Sequence, residues 1–231
     1  MYSVIPMSER VQQHLNDVNV YGCLLQLSPK QGDESLERTL IEDWHHIHEH
    51  WKGMAKSTVS EQPRIAAYQQ LYTQIGLNPK KTPPSVQNLL QRFFIKDELD
   101  KIPTIHPIVD AVNVAAIQHL IPLGVFDAHA VEGKLRLAFT EGGELFQGLG
   151  ESEAAALPAD VLVLADDAKV LSRFCYRDGE SQKVTANTAI IWLLGCQVSG
   201  IEEQDIAESL NTAIEILGRA YHIERLDQAA N

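Results

Sequence analysis

The segment His45-His46-Ile47-His48-Glu49-His50 carries imidazoles at a spacing that has meaning on a helix. His46 and His50 are four residues apart, so they are neighbours on one helical face and can share a metal ion. The same histidines suit a solvated polar face, and spacing nominates no third or fourth ligand and no HExxH pattern. No metal or cofactor is therefore expected. Asp166-Asp167 ends an apolar run; adjacent carboxylates can bind a divalent cation or share acid–base work, but they also build turns at strand ends. Arg177-Asp178 sets a guanidinium beside a carboxylate, able to grip a ligand carboxylate or to form a structural ion pair. Cys23, Cys175 and Cys196 are widely spaced among apolar residues with no CxxC. They read as reduced, buried thiols in a cytoplasmic protein, because burial disfavours the reactive thiolate. No Gly-rich phosphate loop or serine nucleophile elbow occurs.

A different kind of site is suggested by His106–Asp127, HPIVDAVNVAAIQHLIPLGVFD. Asp110 and Asn113 interrupt an apolar helix that ends in a turn at Pro122 and Gly124, followed by Phe126-Asp127. Asparagine has mediocre helix propensity, so Asn113 in mid-helix implies a hydrogen-bonding task in the core or at a pocket floor. Lys80, Lys81, Arg92 and Lys96 make the one dense basic cluster, either a solvated face or an RNA contact. The net charge of −12 argues against broad contact with a phosphate backbone, which relies on clustered Lys and Arg. The apolar runs are too short to span a membrane, and no secretory leader is visible.

The remaining elements must position these groups. Val20–Ser28, bounded by Pro29 and Gly32, reads as a buried strand. Glu34–Lys56 reads as a helix with a stripe at Leu36, Leu40, Ile41, Trp44, Ile47 and Trp51, and Glu61–Ile75 as a second that stops at Gly76. Ser85–Ile95 is a third. Pro103 and Pro107 bracket the entry to the fourth, expected over about Val109–Leu120. The period then changes. Lys134–Phe139 alternates as a strand, with Glu141-Gly142-Gly143-Glu144 as a hairpin turn into Leu145–Gln147. Asp160–Asp167 is a buried strand, and Val170–Asp178 another with Arg173, Cys175 and Arg177 on one face. Val184–Cys196 is apolar and open to a helical reading; Glu202–His222 is an amphipathic helix, with frayed residues to Asn231. Composition is that of an ordinary globular chain, 45% hydrophobic and 22% charged, and the run of helices and strands makes it α+β. The layout suggests an N-terminal strand and helices over residues 1–104 packed on a core of 105–231. The oligomeric state is not legible.

In order and spacing, Pro107, Val109-Asp110-Ala111-Val112-Asn113, Phe126-Asp127, Glu132-Gly133, Leu135–Phe139 and Gly143-Glu144 resemble the B3/B4 region of the bacterial phenylalanyl-tRNA synthetase β-subunit. The likeness runs on through VLVLADDAKVL to the Thr-rich lead into Val184–Cys196, covering roughly Ile105–Gly200, and fits a free-standing B3/B4 protein. The resemblance implies a mixed sheet curled toward a barrel around a pocket. That pocket would recognise the aminoacyl 3′ end of transfer RNA and, as a deacylase, hydrolyse a mischarged ester by water positioning and transition-state stabilisation without a metal. The alternative is a non-catalytic module for a free amino acid or a small polar metabolite. Candidate substrate-binding residues are Asn113, Gly124, Phe126, Asp127, Arg177 and Thr188, with Lys80, Lys81, Arg92 and Lys96 toward RNA. Two positions depart from the family pattern. Gly124 stands where a histidine is common, and Leu194-Gly195 where a tyrosine-selecting glutamate is expected, so tyrosine specificity does not carry over.

Overall fold

A computed structural model describes residues 2–31, 35–96, 101–102 and 104–227. The predicted limits at Gly32, Glu34, Pro103 and Asn231 fall outside the described residues. Elements in chain order are β1 (Ser3–Val4), α1 (Glu9–His14), β2 (Asn19–Pro29), α2 (Leu36–Trp51), α3 (Lys56–Ser60), α4 (Pro63–Gln74), α5 (Ser85–Leu89), α6 (Pro107–His119), β3 (Leu123–Asp127), β4 (Arg136–Phe139), β5 (Leu145–Phe146), β6 (Ala155–Ala156), β7 (Leu162–Ala165), β8 (Val170–Arg173), β9 (Arg177–Asp178), β10 (Ile190–Gln197), α7 (Glu203–Leu217) and β11 (Tyr221–Leu226).

The chain is α+β, as its patterning indicates. The ladders are antiparallel, with a lone parallel bridge between Met7 and Leu137, and the sheets do not close into a barrel. The long apolar strand β2 organises the first sheet. One edge of β2 pairs along its length with β10 (Asn19↔Gln197 to Gln26↔Ile190), and β10 pairs in turn with β3. The other edge of β2 is shared by β1 at its start and β11 at its end. A second sheet runs β4-β7-β8-β9, and β5-β6 form a short ribbon. Helix α6 packs against both α2 and α7, and α7 also lies against β10. One hydrophobic cluster runs through both the helices and the sheets, from Ile5 to Leu217.

Four sequence expectations change. Val184–Cys196 is not helical: its apolar run is the strand β10, buried on both faces, which an eight-residue apolar stretch cannot distinguish from a helix by periodicity. The final helix stops at Leu217, and Tyr221–Leu226 is a strand rather than a helix end, because the free edge of β2 takes up its backbone groups. Val170–Asp178 is two strands. Phe174, at φ +43°, breaks it into a tight hairpin that sets Ser172 opposite Asp178 and Arg173 opposite Arg177. The Glu141–Glu144 turn forms, with the Glu144 carboxylate accepting from the N–H groups of Glu141 and Gly142. Its flanking strands do not pair with each other, since β4 joins β7 and β5 joins β6.

Candidate functional site

Helix α6 begins as its sequence predicts. Pro107 occupies the first turn, where a missing N–H costs nothing, and the His106 ring accepts from the Ile108 N–H at 3.3 Å. Asp110 is buried, at 3% exposure, and both of its oxygens accept from the Ile105 N–H at 3.2 Å. Burial pushes its carboxyl up to about 6 against those bonds. Helix α6 ends with Leu120 in the left-handed region, and the chain turns through Pro122 into β3. Asn113 is thereby held over the strands β3 and β10.

Beneath it lie two adjoining hollows of about 120 Å³ each. Asn113, Leu123, Phe126 and Asp178 border both. The first is completed by Gly124, Leu194 and Cys196 from the sheet, Ser85 from α5, and the β8–β9 hairpin from Ser172 to Asp178. The second is walled by aliphatic side chains, with Gln182 and Lys183 at its edge. Among the described residues neither the Asn113 amide nor the Asp178 carboxylate has a hydrogen-bond partner in the protein. Asp178 is exposed on the side of the hollows. The protein packed around it still pushes its carboxyl up to about 6, opposed by the neighbouring Arg177.

The hairpin is braced from α4. The Tyr72 hydroxyl donates to the Cys175 carbonyl at 3.0 Å, and the Tyr72 and Tyr176 rings meet edge to face at 6.1 Å. Tyr68 donates to the Cys196 carbonyl. Arg173 stacks its guanidinium over Tyr176 at 4.9 Å. Gly179 follows Asp178, and a Cβ there would meet the Leu171 carbonyl at 2.8 Å, so the strands approach closely only because that side chain is absent. The thiols of Cys175 and Cys196 border the first hollow. The hydrogen bond that the Cys196 S–H donates to Cys175, together with burial, holds the Cys196 thiol far above its ordinary range, which is the wrong direction for a nucleophile.

Of the residues nominated from sequence, Asn113, Gly124, Phe126 and Arg177 come together on the first hollow. Asp127 and Thr188 stand outside both hollows and are partners of each other. The Thr188 hydroxyl donates to Asp127 at 2.6 Å, while Asp127 also caps the short turn at Ala128–Ala130 through the His129 N–H at 2.9 Å. These bonds fix the end of β3. The Arg177 guanidinium is partly engaged by Glu151 at 3.2 Å. Lys80, Lys81, Arg92 and Lys96 are exposed. Register resolves which side of β10 matters: Leu194 and Cys196 border the hollow, whereas Gly195 turns to the opposite face against Ile206 and Leu210 of α7. Gly124 is open, and a Cβ there would make only ordinary contacts at 3.8 and 3.9 Å.

The other candidates take structural roles. Asp166 is fully buried: burial pushes its carboxyl up, but the N–H groups of Glu132, Ala168 and Lys169, with the Lys169 ammonium, outweigh this and leave it below its ordinary range. It is the core of a turn. His48 is buried and bonds the Lys96 carbonyl at 3.0 Å, while His45, His46 and His50 are exposed. Among the described residues no group of three ligating side chains is placed to hold a metal. A larger groove of about 630 Å³ crosses the second sheet, but its cations are engaged: Arg10 by Asp160, Arg136 by Asp167, and Lys169 by Glu132 and Asp166. Among the described residues no helix is long and apolar enough to cross a membrane.

Sequence comparison finds the B3/4 domain family over residues 67–221. The chain is 34% identical over 116 residues to the phenylalanine–tRNA ligase β subunit of Vibrio vulnificus (strain YJ016), a match covering 50% of this chain and 14% of the relative. The corresponding subunit of Ruegeria pomeroyi is 32% identical over 102 residues, covering 43% and 13%. The chain thus spans only about a seventh of the length of these relatives. Among solved structures, an N-terminal fragment of the phenylalanyl-tRNA synthetase β-subunit from Pyrococcus horikoshii aligns with 96% of this chain and 52% of its own, at a TM-score of 0.44 and 12% identity.

Proposed function

The chain belongs to the B3/4 domain family, and on that premise we propose that the hollow beneath Asn113 receives the aminoacylated 3′ end of a transfer RNA and hydrolyses its ester. The carrying observation is the coincidence, inside the matched region, of a hollow with two polar side chains that have no hydrogen-bond partner among the described residues, Asn113 and Asp178. An unpartnered amide bordering an apolar hollow loses water contacts that a ligand can restore. In the proposed reaction, water adds to the ester carbonyl and the Asn113 amide N–H donates to the developing oxyanion. The acyl–oxygen bond to the ribose then breaks, and the water's proton passes to the ribose oxygen. No metal ion takes part in this scheme. The segment carrying Lys80, Lys81, Arg92 and Lys96 also supplies Ser85 to the rim of the hollow, which supports an approach of the RNA strand from that side.

The test is deacylation of a panel of misacylated transfer RNAs by the wild type and by Asn113→Ala. Loss of one oxyanion donor lowers turnover by about 100-fold or more. Absence of turnover on every member of the panel removes the catalytic reading. A second reading, a non-catalytic module for a free amino acid, is favoured by Gly124 and Leu194: the two family positions that would carry titratable side chains at the hollow carry none. Thermal shift with free amino acids, together with no response to transfer RNA at low salt, would select that reading.

A further inference from the structure

The inference rests on the proposed entry of an aminoacyl ester and concerns which part of that ligand each hollow accepts. Three carboxylates lie around the β8–β9 hairpin. Glu151 is paired with Arg177, and Glu180 with Lys183. Asp178 has neither an ion pair nor a hydrogen bond among the described residues, although it borders both hollows at their junction. Arg177 and Lys183 are thus paired with other carboxylates, and Arg177 acts on Asp178 without a direct bond, so the Asp178 carboxylate has no ion-pair partner among the described residues. The second hollow has a different character. Its walls are Ile105, Val109, Val112, Val125, Leu149 and Val184, with the edge of Phe126 between it and the first hollow. At about 120 Å³ it is smaller than the cavity of about 150 Å³ that accommodates a benzene ring among aliphatic neighbours.

We propose that Asp178 anchors the protonated α-amino group of the ligand at the junction of the two hollows, and that the second hollow selects a small, branched aliphatic side chain and rejects aromatic ones. Asn113, which borders both hollows, then faces the carbonyl between the amine-bearing carbon and the ribose, and the sugar side of the ester leaves through the open mouth of the first hollow past Gly124 and Ser85. An ammonium at Asp178 gives the carboxylate the direct charge-assisted bond that no described residue supplies. An aromatic ring in the second hollow requires displacement of the packed α6 and β3 walls, and close-packed interiors resist that.

The test is a binding titration, followed by amide chemical shifts of the full chain at pH 7, with three probes. These are valine methyl ester, methyl isovalerate (the same skeleton without the amine) and phenylalanine methyl ester. Wild type is expected to bind valine methyl ester at least tenfold more tightly than either of the others. Asp178→Asn is expected to keep the affinity for methyl isovalerate and to lose the preference for the amine. It should fold, because the carboxylate it replaces has no partner among the described residues. Val109→Ala enlarges the second hollow and is expected to raise the affinity for phenylalanine methyl ester several-fold relative to valine methyl ester. Equal binding of valine methyl ester and methyl isovalerate by wild type, an amine preference unchanged in Asp178→Asn, or phenylalanine methyl ester binding as well as valine methyl ester would overturn the proposal. So would no binding of any probe. A flat deacylation panel with the ester preferences intact removes the transfer-RNA reading and leaves the ligand chemistry standing. Turnover of aromatic esters ahead of aliphatic ones does the reverse.

Discussion

Asp110 and Asp178 are both pushed up to about 6 by burial, from an ordinary 3.8. For an acid whose folded pKa is raised, the protonated form fits the fold. Its contribution is full below the unfolded value and is lost as pH rises through the folded one. Unfolding free energy should therefore fall between about pH 4 and pH 6, by up to about 1.4 kcal/mol per pH unit through the buried Asp110; Asp178 is exposed, and solvent screening leaves it a smaller share. Asp166 works in the opposite sense and at lower pH, because its carboxyl is held below its ordinary range. The difference between wild type and Asp110→Asn isolates the first effect, as the variant can still accept from the Ile105 N–H. Denaturant midpoints from pH 4 to 6.5 should drop less steeply in the variant; parallel curves would contradict the assignment. Gly124 makes a second residue-scale test. Gly124→Ala should leave stability within about 1 kcal/mol, since its Cβ meets only ordinary contacts, yet it narrows the first hollow and should weaken ligand binding.

The hairpin β8–β9 exists because Gly179 allows the Leu171 carbonyl to approach and because Tyr72 holds the turn from outside. Gly179→Ala should cost about 1–3 kcal/mol by forcing the strands apart, and Tyr72→Phe about 1 kcal/mol through one lost hydrogen bond. Urea unfolding of both variants checks this, and a neutral Gly179→Ala would mean that the close approach is not under strain. The hairpin also shows where the sequence is a poor guide. Val170–Asp178 contains no Gly or Pro, so nothing marks the break at Phe174, and an unbroken strand puts Arg173, Cys175 and Arg177 on one face in place of the Ser172–Asp178 pair. Asp178 was visible as a charged turn residue but not as a group at a hollow, because its neighbours Asn113 and Phe126 are brought to it only by tertiary packing. Asn113 was legible for a simple reason: a polar residue of mediocre propensity in a buried helix needs a task. The family order was legible too, since it depends on motif spacing and not on pairing. Strand β11 was hidden because an amphipathic helix runs almost directly into it, and only the open edge of β2 decides the change of period. Removing residues 219–231 should expose that edge and lower both stability and solubility.

At the scale of the whole molecule, a net charge of −12 must be reconciled with the proposed nucleic-acid ligand. A small local strip suffices if the contact is confined to the end of the strand. Binding to deacylated transfer RNA should then show a shallow salt dependence, with a slope corresponding to about two to four neutralised phosphates, and Lys80→Glu with Lys81→Glu should reduce both affinity and slope. A slope unaffected by the double variant would place the RNA elsewhere. The central claim, that the hollow under Asn113 takes the aminoacyl end, is tested most directly by titrating the full chain with 3′-valylamino-3′-deoxyadenosine, whose amide link cannot be cleaved as an ester, and following backbone amide shifts. The account predicts saturable changes concentrated at Asn113, Gly124, Phe126 and Asp178. Changes centred on the groove of Arg10, Arg136 and Lys169, or none at saturating ligand, would contradict it.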